Sequence, residues 1–246
     1  SGVMVKYEKL NPNLSSPVSI PFYGEIITAR WGYEALAVEQ FVNNRYERQF
    51  FNYEKAASQA QFKRDYWCTD LLTKLDNVER LLDETEKDES FDHDLKVLRF
   101  ELRNYLKNNP DIEFAYAGNL TPESINKDVV IAARNYLDQV KKENISIYKW
   151  ATSKRDELKE KINASGGNAL EMMNKYSNKK LEEFVKDRNE GKKITEHRGR
   201  LYQKMDPIFR EPEGRFIKAH FYAPVKFLFG LKIDTFVMNI IVLWIM

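Results

Sequence analysis

Apolar residues recur at spacings of three and four along most of this chain, which is the spacing of one face of an α-helix. The first such stretch covers residues 22–48, and Pro21 can occupy its start. Its apolar face consists of Ile27, Trp31, Ala35, Val38 and Val42. Arg30 and Glu34 lie four residues apart on the same stretch, so they can pair along the helix.

Two further helices are predicted before Pro110. One runs from about residue 52 to 85, with a gap in its apolar stripe at Arg64; the stripe is Ala60, Trp67, Leu71, Leu75, Val78 and Leu82. The other covers 91–108, and its apolar positions alternate by four and three as in a coiled coil. These positions are Phe91, Leu95, Leu98, Leu102 and Tyr105.

The pattern continues after a Thr121-Pro122 pair, which is typical of a helix start. It predicts a helix of about 40 residues up to Gly166, another over 168–189 and a shorter one over 194–206. Residues 112–117 and 216–229 are the candidates for short strands. We therefore predict an all-α fold, an elongated antiparallel long-helix bundle or helical hairpin with coiled-coil-like packing.

Composition indicates a folded chain and argues against a nucleic-acid-binding function. Of 246 residues, 43% are hydrophobic and 31% charged, which is too apolar for a disordered chain. The net charge of +2 lacks the basic excess of a nucleic-acid binder, so no nucleic-acid partner is expected. Cys68 is the single cysteine, which excludes an intramolecular disulfide, and we interpret it as a buried, inert thiol.

Motifs for catalysis or metal binding do not stand out. The chain has no phosphate-binding glycine loop and no GXSXG motif. None of His93, His197 and His220 lies four residues from another histidine, and the acidic residues around His93 are interpreted as capping a helix start. We expect no catalytic, cofactor-binding or metal site in this chain.

The run over 236–246 is apolar except for Asn239. It is shorter than the roughly 20 residues that a membrane-spanning helix needs. Two interpretations are open at this point: a buried helix of a soluble protein, or the start of a truncated transmembrane helix.

Two stretches resemble one family. The string ARWGYEALAVEQF resembles the segment after the fifth transmembrane helix of ABCG-type (white-type, ABC-2) ABC transporter permeases. The match is carried by Arg30, Trp31, Gly32, Tyr33, Glu34, Ala35, Leu36, Glu39 and Phe41. The second stretch, over 222–239, resembles the segment before the last transmembrane helix of bacterial members. The match is carried by Tyr222, Ala223, Pro224, Lys226, Gly230, Ile233, Asp234, Thr235, Phe236 and Asn239. Residues 2–12 resemble the exit from the preceding transmembrane helix, whereas 52–215 match nothing in the family.

The resemblance implies three segments. Residues 1–51 form a membrane-proximal segment with an amphipathic helix, 52–215 a helical insertion, and 216–246 a membrane-proximal return with the truncated start of the last transmembrane helix. The implied structural signature residues are Arg30, Trp31, Gly32, Glu34, Ala35, Glu39, Phe41, Tyr222, Pro224, Asp234, Phe236 and Asn239.

The resemblance also implies a function. The chain would be a non-catalytic, extracytoplasmic domain of a bacterial inner-membrane exporter, facing the periplasm, that gates substrate release or contacts a periplasmic partner. ATP and magnesium would bind a separate domain of the parent protein, with no cofactor in this chain. Expected partners are the rest of the transporter, the membrane, a periplasmic protein and a second copy in a homodimer. The alternative is a soluble helical interaction or scaffold protein with a buried C-terminal helix.

Overall fold

The computed structural model describes residues 18–84, 86–189, 191–212 and 216–246. The chain divides into two compact units. Unit 1 comprises 1–59, 150–193 and 203–246, and unit 2 comprises 60–149 and 194–202. The expected exit from a transmembrane helix over 2–12 lies outside the described residues.

The first part of unit 1 contains helices α1 (Phe22–Glu25), α2 (Thr28–Val42) and the start of α3 (Glu47–Phe62). The single helix predicted over 22–48 is therefore wrong, since the chain is interrupted twice. Ile27 is extended before α2. Before α3, the Asn44 side chain accepts hydrogen bonds from the backbone N–H groups of Tyr46 and Glu47, at 2.9 and 2.8 Å. Such local bonds compete with a continuous helix.

The central part of unit 1 contains the end of α6 (Lys127–Ala164), α7 (Ala169–Tyr176) and α8 (Lys179–Lys186). The helix predicted over 168–189 is divided between α7 and α8. Asn178 separates them, because its side chain caps α8 by accepting from the backbone N–H of Leu181 at 3.1 Å.

A β-hairpin and a helix complete unit 1. Strands β3 (Val225–Leu228) and β4 (Leu231–Asp234) pair antiparallel, with Val225 opposite Asp234. Strand β3 lies within the predicted candidate over 216–229. Helix α9 (Thr235–Ile245) follows β4 directly and packs against α2. Among the described helices, none combines the length and the apolar composition required to cross a membrane.

The main apolar core of unit 1 joins α2, α8 and the 3₁₀ turn Pro207–Phe209. Its buried members are Ala37, Val38, Phe41, Leu181, Val185, Ile208, Phe209 and Tyr222. The predicted α2 face is buried at Trp31, Ala35 and Val38, whereas Ile27 is 38% exposed because it precedes the helix.

Unit 2 contains the end of α3, a π-helical turn (Lys63–Trp67), α4 (Cys68–Leu82), α5 (Glu89–Asn108), a 3₁₀ turn (Ala115–Gly118) and the start of α6. The gap in the predicted stripe at Arg64 falls inside the π turn. Leu81, and not Leu82, continues the buried face of α4. The heptad positions predicted for α5 are all buried, which confirms that helix.

Two sequence expectations in this part of the chain are wrong. Residues 194–206 contain a hairpin of β1 (Ile194–His197) and β2 (Arg200–Gln203) instead of a helix. The 112–117 candidate strand contains the start of a 3₁₀ turn. The fold is therefore mostly helical, but two small antiparallel sheets exclude a purely all-α class.

The start of α6 also differs from the prediction. Thr121 and Pro122 lie in turns, and the helix begins at Lys127. Asn126 supplies the cap, because its Oδ1 accepts from the backbone N–H of Val129 at 3.0 Å. The helix has 38 residues, close to the predicted length.

Candidate functional site at a buried polar cluster in unit 1

Glu34 of α2 is fully buried and lies at the centre of a polar cluster. Its Oε2 accepts hydrogen bonds from Lys226 Nζ at 2.6 Å, Asn239 Nδ2 at 2.9 Å and Arg30 Nη1 at 3.1 Å. Its Oε1 accepts from the backbone N–H of Tyr222 at 3.3 Å. A single carboxylate thus connects α2 with β3, α9 and the segment before β3. We call Glu34, Lys226, Asn239 and Arg30 the Glu34 cluster.

Asn239 links the members of the cluster to each other. Its Oδ1 accepts from Lys226 Nζ at 2.8 Å, and its Nδ2 also donates to the backbone oxygen of Trp31 at 3.1 Å. One turn earlier on α9, Thr235 Oγ1 donates to the backbone oxygen of Ala223 at 2.6 Å. The polar side of α9 is therefore bound to α2 and to the segment before β3.

Trp31 forms one wall of the cluster. Its Nε1 donates to the backbone oxygen of Glu25 at 2.7 Å. The Arg30 guanidinium lies 3.8 Å and Lys226 Nζ 4.3 Å from its ring centroid. A cation over an indole ring contributes about 0.5–2 kcal/mol, and more where water is excluded. The indole thus stabilises both cations in the interior.

The charges of the cluster and its neighbour compensate one another. Arg30 pairs with Glu34 and with Glu25, and its Nε donates to the backbone oxygen of Gly24 at 2.9 Å. Burial lowers the pKa of Lys226, and the nearby carboxylate of Glu34 opposes this shift. Two cations therefore face two carboxylates, which offsets much of the cost of removing charges from water.

The geometry limits the chemistry that Glu34 can perform. An ionised carboxylate offers about four lone-pair sites, and Glu34 receives four donors. Glu34 and Asn239 have no exposed surface, and Lys226 is 1% exposed. A general base or a nucleophile needs access to a substrate. The cluster is therefore suited to holding elements together.

The structure brings part of the predicted signature into this site. Arg30 contacts Glu34 and the ring of Trp31, and Asn239 contacts Glu34 and the backbone oxygen of Trp31. Tyr222 contributes its backbone N–H, and the backbone oxygen of Pro224 accepts from the N–H of Thr235 at 3.1 Å. Ala35 is 1% exposed beside Glu34. Gly32 faces α9, since a Cβ there would lie 3.9 Å from Leu243 Cδ1.

Four other signature residues, Glu39, Phe41, Asp234 and Phe236, are not placed against the Glu34 cluster. Glu39 is half-buried and accepts from Asn43 Nδ2 at 2.7 Å. Phe41 packs edge to face on Phe209, with ring centroids 6.1 Å apart, in the apolar core. Asp234 is exposed and makes no side-chain cap at the start of α9. Phe236 is half-buried.

Lys226 belongs to the cluster but not to the predicted set of signature residues. It was part of the matching stretch, and a signal was present, since it is the single charged residue in the run from Tyr222 to Leu228. A lone lysine in an apolar strand is buried only when it is paired. The identity of its partner could not be inferred, because Glu34 lies 192 residues earlier.

A second set of charges in unit 1 lies on and beside α8, around buried Lys186. Lys186 Nζ donates to Glu54 Oε2 at 2.9 Å and to Glu182 Oε1 at 2.6 Å. Nearby Glu47 is 4% exposed, and its Oε2 has no hydrogen-bond partner. Burial, with a further contribution from Glu54, raises the pKa of Glu47 to about 7, although Lys186 and a hydrogen bond from Ser177 oppose the shift.

Two further residues that the sequence analysis considered, His93 and Cys68, lie in unit 2. The hydrogen-bonding cap of α5 is Asp88, which accepts from the backbone N–H groups of Ser90 and Phe91. Asp92 beside His93 lies in the first turn, as predicted, where a negative charge complements the helix dipole. His93 Nε2 lies 2.5 Å from Glu196 Oε1. Cys68 is fully buried, as predicted, and burial raises the pKa of its thiol to about 11, which disfavours the reactive thiolate form. Within the described residues, no three potential metal ligands of the His, Cys, Asp or Glu type converge.

Comparisons with known proteins add one partial similarity. No family model and no solved structure matches the chain. The chain is 35% identical over 118 residues to heat shock 70-related protein 5 of Dictyostelium discoideum. The match covers 43% of this chain and 23% of that relative. The chain therefore corresponds to about a quarter of the length of this relative, which assigns it to no family.

Proposed function

We propose that this chain is the extracytoplasmic region between the last two transmembrane helices of a bacterial ABCG-type exporter permease. In this proposal it performs no catalysis. ATP and magnesium bind a separate domain of the parent protein, and residues 1–51 and 216–246 form the base that joins the helical insertion over 52–215 to the membrane part.

One observation carries the proposal. The two stretches that resemble the family are far apart in the sequence, yet their polar residues meet in the Glu34 cluster. Arg30 and Glu34 come from the first stretch, and Lys226 and Asn239 from the second, while Trp31 of the first stretch lines the cluster. A resemblance by chance would give no reason for these residues to be partners.

The apolar surface of α9 supports a membrane-proximal base. Val237, Ile241 and Trp244 are 48%, 40% and 88% exposed, whereas the opposite side of the helix binds α2 through Asn239. An exposed apolar helix face is typical of contact with lipid or with other helices. In the proposal, this face contacts the bilayer or neighbouring transmembrane helices.

The finer architecture and the partners are part of the same proposal. The helices of the insertion form an antiparallel long-helix bundle or helical hairpin that gates substrate release or contacts a periplasmic protein. The parent works as a homodimer in the inner membrane, with this region in the periplasm. The partial similarity to a heat shock 70-related protein contributes nothing to this assignment.

The orientation across the membrane can be tested in the complete gene product with one surface thiol. Lys161→Cys places a thiol near the end of α6, where the lysine side chain is 70% exposed. Since Cys68 is buried and unreactive, the unsubstituted protein serves as the blank. We expect a membrane-impermeant maleimide to label Lys161→Cys in intact cells whose outer membrane has been made permeable.

The same experiment can overturn the proposal. Labelling of Lys161→Cys only after the inner membrane is broken would place the insertion in the cytoplasm. Recovery of the unsubstituted protein in the soluble fraction after lysis would favour the soluble scaffold instead. A periplasmic reporter and a cytoplasmic reporter, each with one surface cysteine, control for membrane integrity.

A further inference from the structure

The turn between β3 and β4 presents large apolar side chains on the surface of unit 1. Phe229 and Leu231 are 84% and 68% exposed, and Phe216 is 53% exposed. The rings of Phe216 and Phe229 meet edge to face with centroids 5.3 Å apart. The backbone N–H of Ile217 donates to the oxygen of Phe227 at 2.7 Å, which holds this segment beside β3. We call Phe216, Phe229 and Leu231 the hairpin tip.

The backbone of the turn shows that folding alone does not explain Phe229. Phe229 and Gly230 form the two-residue turn, and both have positive φ, at 51° and 86°. Asn, Asp and Gly are preferred at such positions because the left-handed backbone crowds a Cβ atom. Phenylalanine gains no compensating burial here, since most of its surface is exposed. Its presence therefore indicates a role outside the folded unit.

Charges beside the tip favour an anionic surface as its partner. Lys218 and Lys232 are exposed, and Lys232 Nζ lies 3.6 Å from Glu211 Oε1. Lysines next to exposed apolar side chains are typical of segments that lie at lipid headgroups.

The position of the hairpin tip in the chain also favours a lipid surface as its partner. Strand β4 leads from Leu231 to Asp234 and continues without a loop into α9, whose exposed face is apolar. Resting on the proposed function, α9 leads into the bilayer. The tip then lies within one short strand of the membrane.

We propose that the hairpin tip inserts into the surface of an anionic phospholipid bilayer. Phe216, Phe229 and Leu231 enter the boundary between headgroups and acyl chains. Lys218 and Lys232 lie at the phosphate level. The tip is thus a second contact with lipid in addition to α9, and it fixes the orientation of unit 1 on the membrane.

A label on the tip tests the proposal with the 246-residue chain. Leu231→Cys carries an environment-sensitive fluorophore, and buried Cys68 is expected to stay unlabelled, which the unsubstituted chain checks as the blank. Leu170→Cys on α7 is the matched control, since Leu170 is 62% exposed. The probe is a vesicle of phosphatidylcholine with about 30% phosphatidylglycerol, whose negative surface attracts basic segments.

We expect the emission of the label at 231 to shift to the blue on vesicle addition and to be quenched by nitroxide groups on the acyl chains. The label at 170 remains unchanged. In unlabelled protein, Phe229→Ser lowers the partition coefficient into the same vesicles at least about fivefold, because a phenylalanine contributes strongly to burial in an apolar phase. Phe184→Ser, on α8, is the matched control because Phe184 is 48% exposed.

Three results would overturn the inference. The first is that the emission of the label at 231 does not change when vesicles are added. The second is that this label is quenched no more than the label at 170. The third is that its emission shifts to the blue without lipid as the protein concentration rises. The last result would assign the tip to a second copy. If the label at 231 does not respond to vesicles but Lys161→Cys is labelled from outside the cell, only the membrane contact of the hairpin tip is contradicted, and the proposed function is retained. If Lys161→Cys is labelled only after the inner membrane is broken but the label at 231 is quenched by lipid, only the proposed function is contradicted.

Discussion

Glu34 combines complete burial with four donated hydrogen bonds, an arrangement in which each donor depends on the carboxylate. Arg30 and Lys226 are buried with it and have their closest carboxylate contacts at Glu34 and Glu25. A buried ion pair adds little net stability compared with an apolar pair, but loss of one member leaves an uncompensated charge. This asymmetry makes Glu34 the most sensitive residue of the site.

We expect Glu34→Gln to lower the free energy of unfolding by about 3–5 kcal/mol, because buried Lys226 loses its counter-charge. Glu39→Gln, on the same helix, should change it by less than about 0.5 kcal/mol, since Glu39 only pairs with Asn43 near the surface. Urea unfolding followed by circular dichroism measures both. Equal effects would contradict the central role of Glu34. The double variant Glu34→Gln/Lys226→Met should regain part of the loss.

Glu47 gives a pH dependence whose sign follows from its surroundings. Its folded pKa is about 7, above its ordinary value of 4.5, so the folded state binds the proton more tightly. The free energy of unfolding therefore falls as pH rises between 4.5 and about 7, by up to ~1.4 kcal/mol per pH unit from this group. The contribution is fully present below 4.5 and is lost above about 7.

Glu47→Gln should abolish this component. We expect the variant to be more stable than the unsubstituted chain at pH 8 and to lose that advantage at pH 5, as measured by urea unfolding at both values. Glu171→Gln, at an exposed position on α7, controls for the general effect of removing a carboxylate. A constant difference between Glu47→Gln and the unsubstituted chain across this range would show that Glu47 keeps an ordinary pKa.

Among the elements, the β1–β2 hairpin depends on its turn. Arg198 and Gly199 both have positive φ, at 53° and 72°. The hairpin is joined to the core of unit 2 through Glu101, which accepts from the backbone N–H of Leu201 at 2.8 Å and from Trp67 Nε1 at 2.7 Å. A distorted turn would therefore also disturb the buried carboxylate between the hairpin and α5.

We expect Gly199→Ala to lower the free energy of unfolding by roughly 1–2 kcal/mol, because an alanine Cβ clashes in the left-handed region. Gly191→Ala is the matched control, since its added Cβ meets no heavy atom within 4 Å, and its change should stay within about 0.5 kcal/mol. Thermal unfolding of both variants decides the matter. A tolerated Gly199→Ala would mean that the turn adopts another backbone conformation.

The elements also differ in how well local sequence predicted them. The prediction for helix α5 lies within two residues of its observed start, because its heptad pattern and the following proline act locally. The break between α2 and α3 was missed, since the Asn44 side chain competes with the helical backbone there. The β1–β2 hairpin was missed although Arg198-Gly199 is a suitable turn, because four-residue strands leave almost no periodic signal.

For the whole molecule, the exposed face of α9 determines solution behaviour. Ile241 and Trp244 lie on this face, away from Asn239, so that their substitution spares the Glu34 cluster. Removing everything after Lys232 would be a poorer test, because it deletes Thr235 and Asn239 together. Exposed apolar surfaces of this kind promote association in water.

We expect the 246-residue chain to self-associate without detergent, with a sedimentation coefficient that rises with protein concentration. Ile241→Ser/Trp244→Ser should shift it to the monomer, whereas Leu170→Ser, at another exposed apolar position, should not. Sedimentation velocity over a hundredfold concentration range measures this. If the unsubstituted chain instead sediments as a monomer at all concentrations, the exposed face of α9 does not mediate self-association.

The sequence by itself determined the helical character, the buried stripes of α4 and α5 and the possible Arg30–Glu34 pair, because periodicity and i,i+4 contacts act over a few residues. Only the tertiary structure decided that this pair is buried and that Lys226 and Asn239 complete it. The physical reason is distance along the chain. Lys226 and Asn239 lie 192 and 205 residues after Glu34, so only the packing of α9 and β3 against α2 brings them to one carboxylate.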